Sequence, residues 1–322
     1  MREALFIKKN KDRWEKVQHQ PAQDADEMAK DFTQLVDDLA YAKTFYPDSE
    51  ATRYVNGQAS KIYLNIYRNR KEEHNRLVTF WKYDLPLTIR RHHGIVLFSF
   101  LLFVLFFAVG FFSSGHDTGF VRSVLGDSYV DMTEDNITKG NPLGVYEHGN
   151  PVLAWLGIMI NNITVSFIYF VKGLTFGILT ITSLVKEAIR IGAFEHMFFS
   201  KGFGLQATLG VLIHGLLELT AIIIACAAGI ALGKSFLFPG TIKRMDSLKR
   251  GAKDGVKIVI GLVPIFIAAA FFEGFVTRLY KMPVVLNLIL LSGSFIFIVW
   301  YFIIYPIRLS RKFSIQLNAE EV

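Results

Sequence analysis

Cysteine is nearly missing from this chain, with one residue, Cys226, among 322. A single cysteine excludes an internal disulfide, and its place inside an apolar run gives no reading of redox compartment. Also missing are a Walker-type phosphate loop, a dinucleotide fingerprint, zinc-ribbon cysteine pairs and any HExxH string. Charged residues make up only 20%, which excludes a disordered polyelectrolyte. The segment Met1–Lys9 has no apolar core followed by a small-residue cleavage site, so no cleaved signal peptide is expected. What the chain has in excess is apolar surface. Apolar residues reach 52%, aromatics 14%, with 29 phenylalanines, and the mean hydropathy is +0.34. A soluble chain of this size has no interior large enough to hold them, and the composition points to a multi-pass membrane protein.

A membrane helix needs about 20 largely apolar residues. Six stretches come close: Gly94–Ser113, Pro151–Phe170, Gly173 to about Val185, Phe203–Gly233, Ile258–Val276 and Val284–Ile307. The second and third share one run broken only at Lys172-Gly173, which reads as a tight hairpin or a bent pair of half-helices. Basic residues mark the cytoplasmic side of spans. Residues 1–93 hold 17 Lys+Arg, and residues 234–257 hold seven, including Lys243-Arg244, Lys249-Arg250 and Lys253; Arg308, Arg311 and Lys312 follow the last span. Residues 114–150 hold only Arg122 and Lys139 against Asp117, Asp127, Asp131, Glu134, Asp135 and Glu147. Six crossings with both termini in the cytoplasm of a bacterial inner membrane satisfy this distribution. The exceptions are Lys186, Arg190, Lys201, Arg278 and Lys281.

The N-terminal third reads as helical. Asp24 and Glu27 suggest a capping box, followed by a stripe at Met28, Phe32, Leu35, Val36, Leu39 and Ala42. Tyr46-Pro47-Asp48 ends that helix, and Asp48 or Ser49 can cap the next. Val55, Ala59, Ile62, Ile66 and Tyr67 give a second stripe, so the two helices pair as an antiparallel hairpin. In residues 71–91, Phe80, Trp81 and Tyr83 alternate with cations, a pattern that suits the lipid headgroup layer. The expected organisation is a cytoplasmic domain at 1–93 ending in that interfacial helix. A six-span domain at 94–313 and a cytoplasmic tail at 314–322 follow.

Several scattered pieces then form a recognisable order. They are Phe6-Ile7, Trp14, Asp38-Leu39-Ala40 with Ala42, Pro47-Asp48, Tyr54-Val55-Asn56 and Asp84-Leu85-Pro86 ahead of Arg90. Asn161-Asn162, Gly173 with Gly177, His214-Gly215 with Glu218, and Glu273-Gly274 continue the series. The chain resembles the stage II sporulation protein M family of bacterial and archaeal membrane proteins. The resemblance implies a helical membrane bundle. The namesake of the family acts with two peptidoglycan-degrading partners of the engulfment machinery, which suggests a non-enzymatic scaffold in an envelope assembly. It implies no reaction and no cofactor.

Ionisable groups within a span are costly and mark candidate sites. His214 and Glu218 stack four residues apart on one helical face. Glu273 on the next span and Asn161 and Asn162 near the middle of span two can join them in one buried cluster. Such a cluster would hold Glu218 uncharged or paired with a His214 imidazolium. It reads as a structural clasp, as an ion or proton pathway, or, with the least support, as a three-ligand metal or hydrolytic site. No second histidine lies within a span, Glu195-His196 falls in an outer loop, and no catalytic residues are expected. Ala221, Ala225, Gly229 and Gly233, with Gly173 and Gly177, form small-residue faces for close helix packing, against a neighbouring span or a second copy of the chain. The basic 234–257 loop needs only anionic lipid as partner, not nucleic acid. Asn136-Ile137-Thr138 is a glycosylation sequon without meaning in a bacterial chain. The expected fold is an all-α polytopic membrane protein. The leading function is the scaffold, with an ion or small-solute transporter and an intramembrane hydrolase as alternatives.

Overall fold

Fourteen α-helices and no strand make up the residues that the computed structural model describes, namely 2–19, 24–68, 76–141, 144, 150–277 and 283–320. Residues 71–75 of the pre-membrane segment lie outside them. So do Glu147, Arg278, Lys281, residues 321–322 and the side chains of Ile66 and Tyr67. The chain divides into two compact units, Met1–Arg76 and Leu77–Val322.

The first unit holds α1 (Glu3–His19), α2 (Ala25–Phe45) and α3 (Glu50–Arg68). Helices α2 and α3 are the expected pair, and α1 adds a third. Phe6, Trp14 and Val17 of α1 close a core with Leu35, Ala42, Val55 and Ala59. Burying a large side chain of this kind is worth about 1.5–3 kcal/mol. The indole Nε1 of Trp14 donates to Asp38 Oδ2 at 2.8 Å, and Arg13 pairs with the same carboxylate. The expected capping box is not formed. Asp24 sits at the N-cap with extended backbone but its side chain makes no capping bond, which leaves the acidic first turn facing the helix dipole. Ser49 does cap α3, its Oγ accepting from Thr52 N at 3.1 Å.

The second unit begins at Leu77 within α4 (Arg76–Thr79), followed by a widened π turn at Phe80–Asp84 and α5 (Leu85–Arg91). This pre-membrane segment is fastened to the bundle. Trp81 Nε1 donates to Gly261 O at 3.1 Å, and Tyr301 and Tyr305 donate to the carbonyls of Trp81 and Lys82 at 2.8 Å. Leu85 is fully buried over the bare backbone of Gly261. Phe80, Trp81 and Tyr83 are half-buried, and Leu77, Val78 and Lys82 form the exposed edge.

The bundle comprises α6 (His93–His116), α9 (Pro151–Val171), α10 (Ile178–Ser200), α11 (Gly204–Leu237), α12 (Arg244–Phe271), α13 (Val284–Ile298) and α14 (Tyr305–Glu320). Two short helices, α7 (Thr118–Leu125) and α8 (Asp127–Thr138), fold within the acidic segment after α6. Among the described residues, five helical stretches are long and apolar enough to cross a membrane: His93–His116, Pro151–Leu174, Gly204–Leu237, Arg244–Val276 and Val284–Phe313. Helix α10 stands at the place of the third of the six expected spans, but runs on to Ser200 instead of ending near Val185. Its Lys186, Glu187, Arg190 and Glu195 keep it out of that set, although it packs along α6 and α11 within the bundle. Much of the expected basic loop at 234–257 is also helical, belonging to the ends of α11 and α12.

Small residues set the closest approaches. Between α9 and α10, Phe176 and Gly177 take positive φ values of 58° and 83°, and this turn presses on α11. A Cβ on Gly173 would collide with the Gly229 backbone, and one on Gly233 with that of Phe176–Gly177. The stripe of Ala221, Ala225, Gly229 and Gly233 is therefore filled from within the chain. A second contact, which the spacing of small residues does not signal, seats Gly110 of α6 on Ile189 and Gly192 of α10 on Phe107.

Candidate functional site

Of the five membrane-length helices α11 is the most buried, and His214 and Glu218 lie in its buried middle. His214 and Glu218, one turn apart, point to the same side. Opposite them α12 ends in a π turn at Phe272–Val276, closed by Thr277 N donating to Phe272 O at 2.8 Å. Such a turn inserts extra width into the helix and often re-aims side chains at functional sites. Here it carries Glu273 and Thr277 against α11. One ligand atom each from His214, Glu218 and Glu273 falls within 4.8 Å of the other two.

The imidazole is held. His214 is 4% exposed, and its Nδ1 lies 2.9 Å from Thr277 Oγ1, whose hydroxyl in turn reaches Phe272 O at 3.3 Å. If the threonine hydroxyl donates to that carbonyl it can accept the Nδ1 proton of the ring, and in that tautomer the ring's lone pair lies on Nε2. Neighbouring Gly274 packs tightly on Trp155, where a Cβ would lie 3.2 Å from the tryptophan Cβ. Asn162 of α9 is buried, and its Oδ1 accepts from Asn161 Nδ2 at 3.3 Å; its own Nδ2 interacts with the Glu218 carboxylate without making a well-aligned hydrogen bond. Asn161 is on the exposed side of α9 and reaches the cluster only through Asn162.

The three residues line a cavity of about 890 Å³ between α6, α10 and α11. Its walls are largely aromatic, with Phe103, Phe107, Phe111 and Phe194 among them. A polar seam of Glu187, Arg190, Glu195 and Thr208 runs along the same space. Arg190 pairs with Glu187 at 3.3 Å, and the buried Glu195 accepts from Thr208 Oγ1 at 2.6 Å. Glu195 is thus a buried wall residue within α10, not part of an outer loop. Three of the charges of α10, Glu187, Arg190 and Glu195, line the cavity while Lys186 is exposed, which is why its composition is too polar for a lipid-facing span. Helical spacing at Glu187, Arg190, Ile191, Phe194 and Glu195 is the sequence signal for this face, and a span that ends at Val185 excludes it.

Leu125 and Tyr129 of the α7–α8 pair also line the cavity. Burial pushes the Tyr129 hydroxyl up from its ordinary pKa, and the nearby Glu273 adds to the shift. The pair is folded around Arg122, which reaches Asp131 at 2.7 Å and Glu134 at 3.3 Å; Lys201 at the end of α10 holds Glu134 at 2.8 Å. Much of the acidity of this segment is answered internally.

Helical bundle, membrane-length helices and enclosed polar cluster define an all-α polytopic membrane protein with a site inside its bundle. The chain belongs to the stage II sporulation protein M family, whose match covers residues 99–278. Residues 4–68 match a separate domain of unknown function, DUF8413. No curated protein and no solved structure matches the chain. The family match runs from within α6 to the end of the π turn and includes every residue of the cluster. The pieces from Phe6 to Asn56 that contribute to the sequence resemblance fall in the other domain, and Asp84-Leu85-Pro86 falls in neither.

Proposed function

We propose that the protein admits a cation or proton to a polar site inside its membrane bundle, as a carrier or channel does. One observation carries this reading. Two carboxylates and an imidazole converge on the wall of a large cavity, and neither Glu218 nor Glu273 has a Lys or Arg ion-pair partner among the described residues. A clasp built only for stability would leave fewer uncompensated acids, because burying a charge without a partner costs several kcal/mol. The test is cation and proton flux into proteoliposomes holding the purified chain. Glu218→Gln keeps size and shape, so it should cut flux at least about tenfold while leaving the gel-filtration profile and melting temperature in place. Equal flux through wild type and variant would end this reading.

A second reading, an assembly factor of the cell envelope or of peptidoglycan remodelling, is favoured by a different feature. The first unit has its own core and its own family match, the organisation of a docking domain attached to a membrane bundle. Cross-linking in native membranes followed by mass spectrometry tests it: a recurrent near-stoichiometric envelope hydrolase supports it, and recovery of the chain alone, as monomer or homodimer, counts against it. Both readings use the same orientation, in which the basic ends of α5, α12 and α14 support cytoplasmic termini in an inner membrane.

A further inference from the structure

We propose that His214, Glu218 and Glu273 form a binding site for a divalent transition-metal cation of the zinc or manganese class, with Thr277 and Asn162 as positioning residues. This rests on the reading above that the site takes a cation, and it names which.

The donor set argues for the class. One imidazole nitrogen and two carboxylate oxygens suit zinc, manganese or ferrous iron; calcium and magnesium favour all-oxygen shells, and copper(I) favours sulfur. Ligand atoms sit about 2.0–2.2 Å from zinc, hence about 3.4 Å from one another in a tetrahedron. The spread of 4.8 Å closes to that distance by small side-chain rotations, since His214 and Glu218 lie on one face of one helix and Glu273 on a facing turn.

Charge gives a second, independent argument. Glu218 and Glu273 are close together and out of contact with Lys and Arg, because Arg190, the cation in the cavity wall, pairs with Glu187. A divalent ion bound by two carboxylates and a neutral imidazole is electrically neutral overall, so a single ion lets both acids ionise without an uncompensated buried charge.

The surroundings are those of a ligand sphere. Histidines that bind metal usually hold their other ring nitrogen in a hydrogen bond, and Thr277 supplies it at 2.9 Å. The Asn162 amide nitrogen is buried and makes no well-aligned hydrogen bond, but it interacts with Glu218 and so can steady that carboxylate from its outer oxygen. Three protein ligands facing a cavity leave a fourth position open, as in sites that exchange ligands and unlike closed structural zinc sites.

The test uses the full chain in detergent, stripped with chelator and then equilibrated separately with Zn²⁺ and with Mn²⁺. Bound metal is counted by elemental analysis, and affinity is measured by calorimetry. One ion per chain is expected for at least one of the two metals. Affinity should fall by more than about 100-fold in His214→Gln or Glu273→Gln, and by about 10-fold in Thr277→Val, with Thr277→Ser close to wild type. Rescue by serine separates ring positioning from simple damage. Wild type without bound metal overturns the proposal whatever the variants do, as does equal binding by wild type and Glu273→Gln, which would assign the metal to surface histidines. Flux without bound metal removes this inference and leaves the carrier standing; bound metal without flux does the reverse.

Discussion

Glycines of the bundle differ in what a side chain would meet, and this separates packing from mere helix composition. A Cβ at Gly192 would strike the backbone of Phe107 and Phe111, whereas one at Gly157 on α9 would meet nothing within 4 Å. Gly192→Val should lower the melting temperature of the purified protein by the equivalent of about 1–3 kcal/mol or more, since overpacking a close helix contact forces backbone shifts. Gly157→Ala should leave it unchanged or raise it slightly, Ala being the better helix former. Matching melting curves for the two variants would mean that α6 and α10 do not touch at Gly192. At this scale the sequence is informative where spacing is local. The four-residue interval of His214 and Glu218 is enough to put them on one face of a helix. Glu273 can be named from the sequence but not placed, because 55 residues separate it from Glu218 and only the docking of α12 on α11 joins them. Thr277 escapes sequence reading altogether, since a threonine at the end of a span gives no signal apart from its hydrogen bond to His214.

Among the elements, α10 and the α7–α8 pair depart most from their sequence reading. Residues 186–200 and 118–138 are expected to be largely loop, and in both the reason is charge. In α10 Glu187, Arg190 and Glu195 face a cavity, so helical periodicity persists where hydropathy fails. In α7–α8, Arg122 gathers Asp127, Asp131 and Glu134 and turns an acidic loop into two helices. Arg122→Gln should therefore speed amide exchange across residues 118–138 by about tenfold or more while α11 and α12 keep their protection. Such a change follows from the loss of ion pairs that individually contribute about 0.2–1 kcal/mol but share one hub. Raised salt should have a smaller effect of the same sign. Unchanged exchange in the variant would show that apolar contacts of Val121 and Val130 with Phe198 are sufficient.

The whole molecule presents an orientation that labelling can read. In a Cys226→Ala background, Lys139→Cys should react with an impermeant maleimide from outside intact cells, and Lys249→Cys only after permeabilisation; the opposite pattern would invert the proposed topology. Native Cys226 is fully buried and should stay unlabelled on both sides until the protein is denatured. The sequence by itself determined that this is a helical membrane protein, where its apolar stretches run, where its charges concentrate and which polar residues are stranded among them. Composition and spacing are local quantities, and the bilayer makes them decisive by requiring every spanning backbone to satisfy its own hydrogen bonds. The tertiary structure alone decided that α11 stands at the centre and that its small-residue stripe is filled by the chain's own turn. It also brought the two glutamates and the histidine to one cavity. Those outcomes depend on which helix faces which, and in a membrane that choice is made by close packing and interhelical hydrogen bonds between residues far apart in sequence.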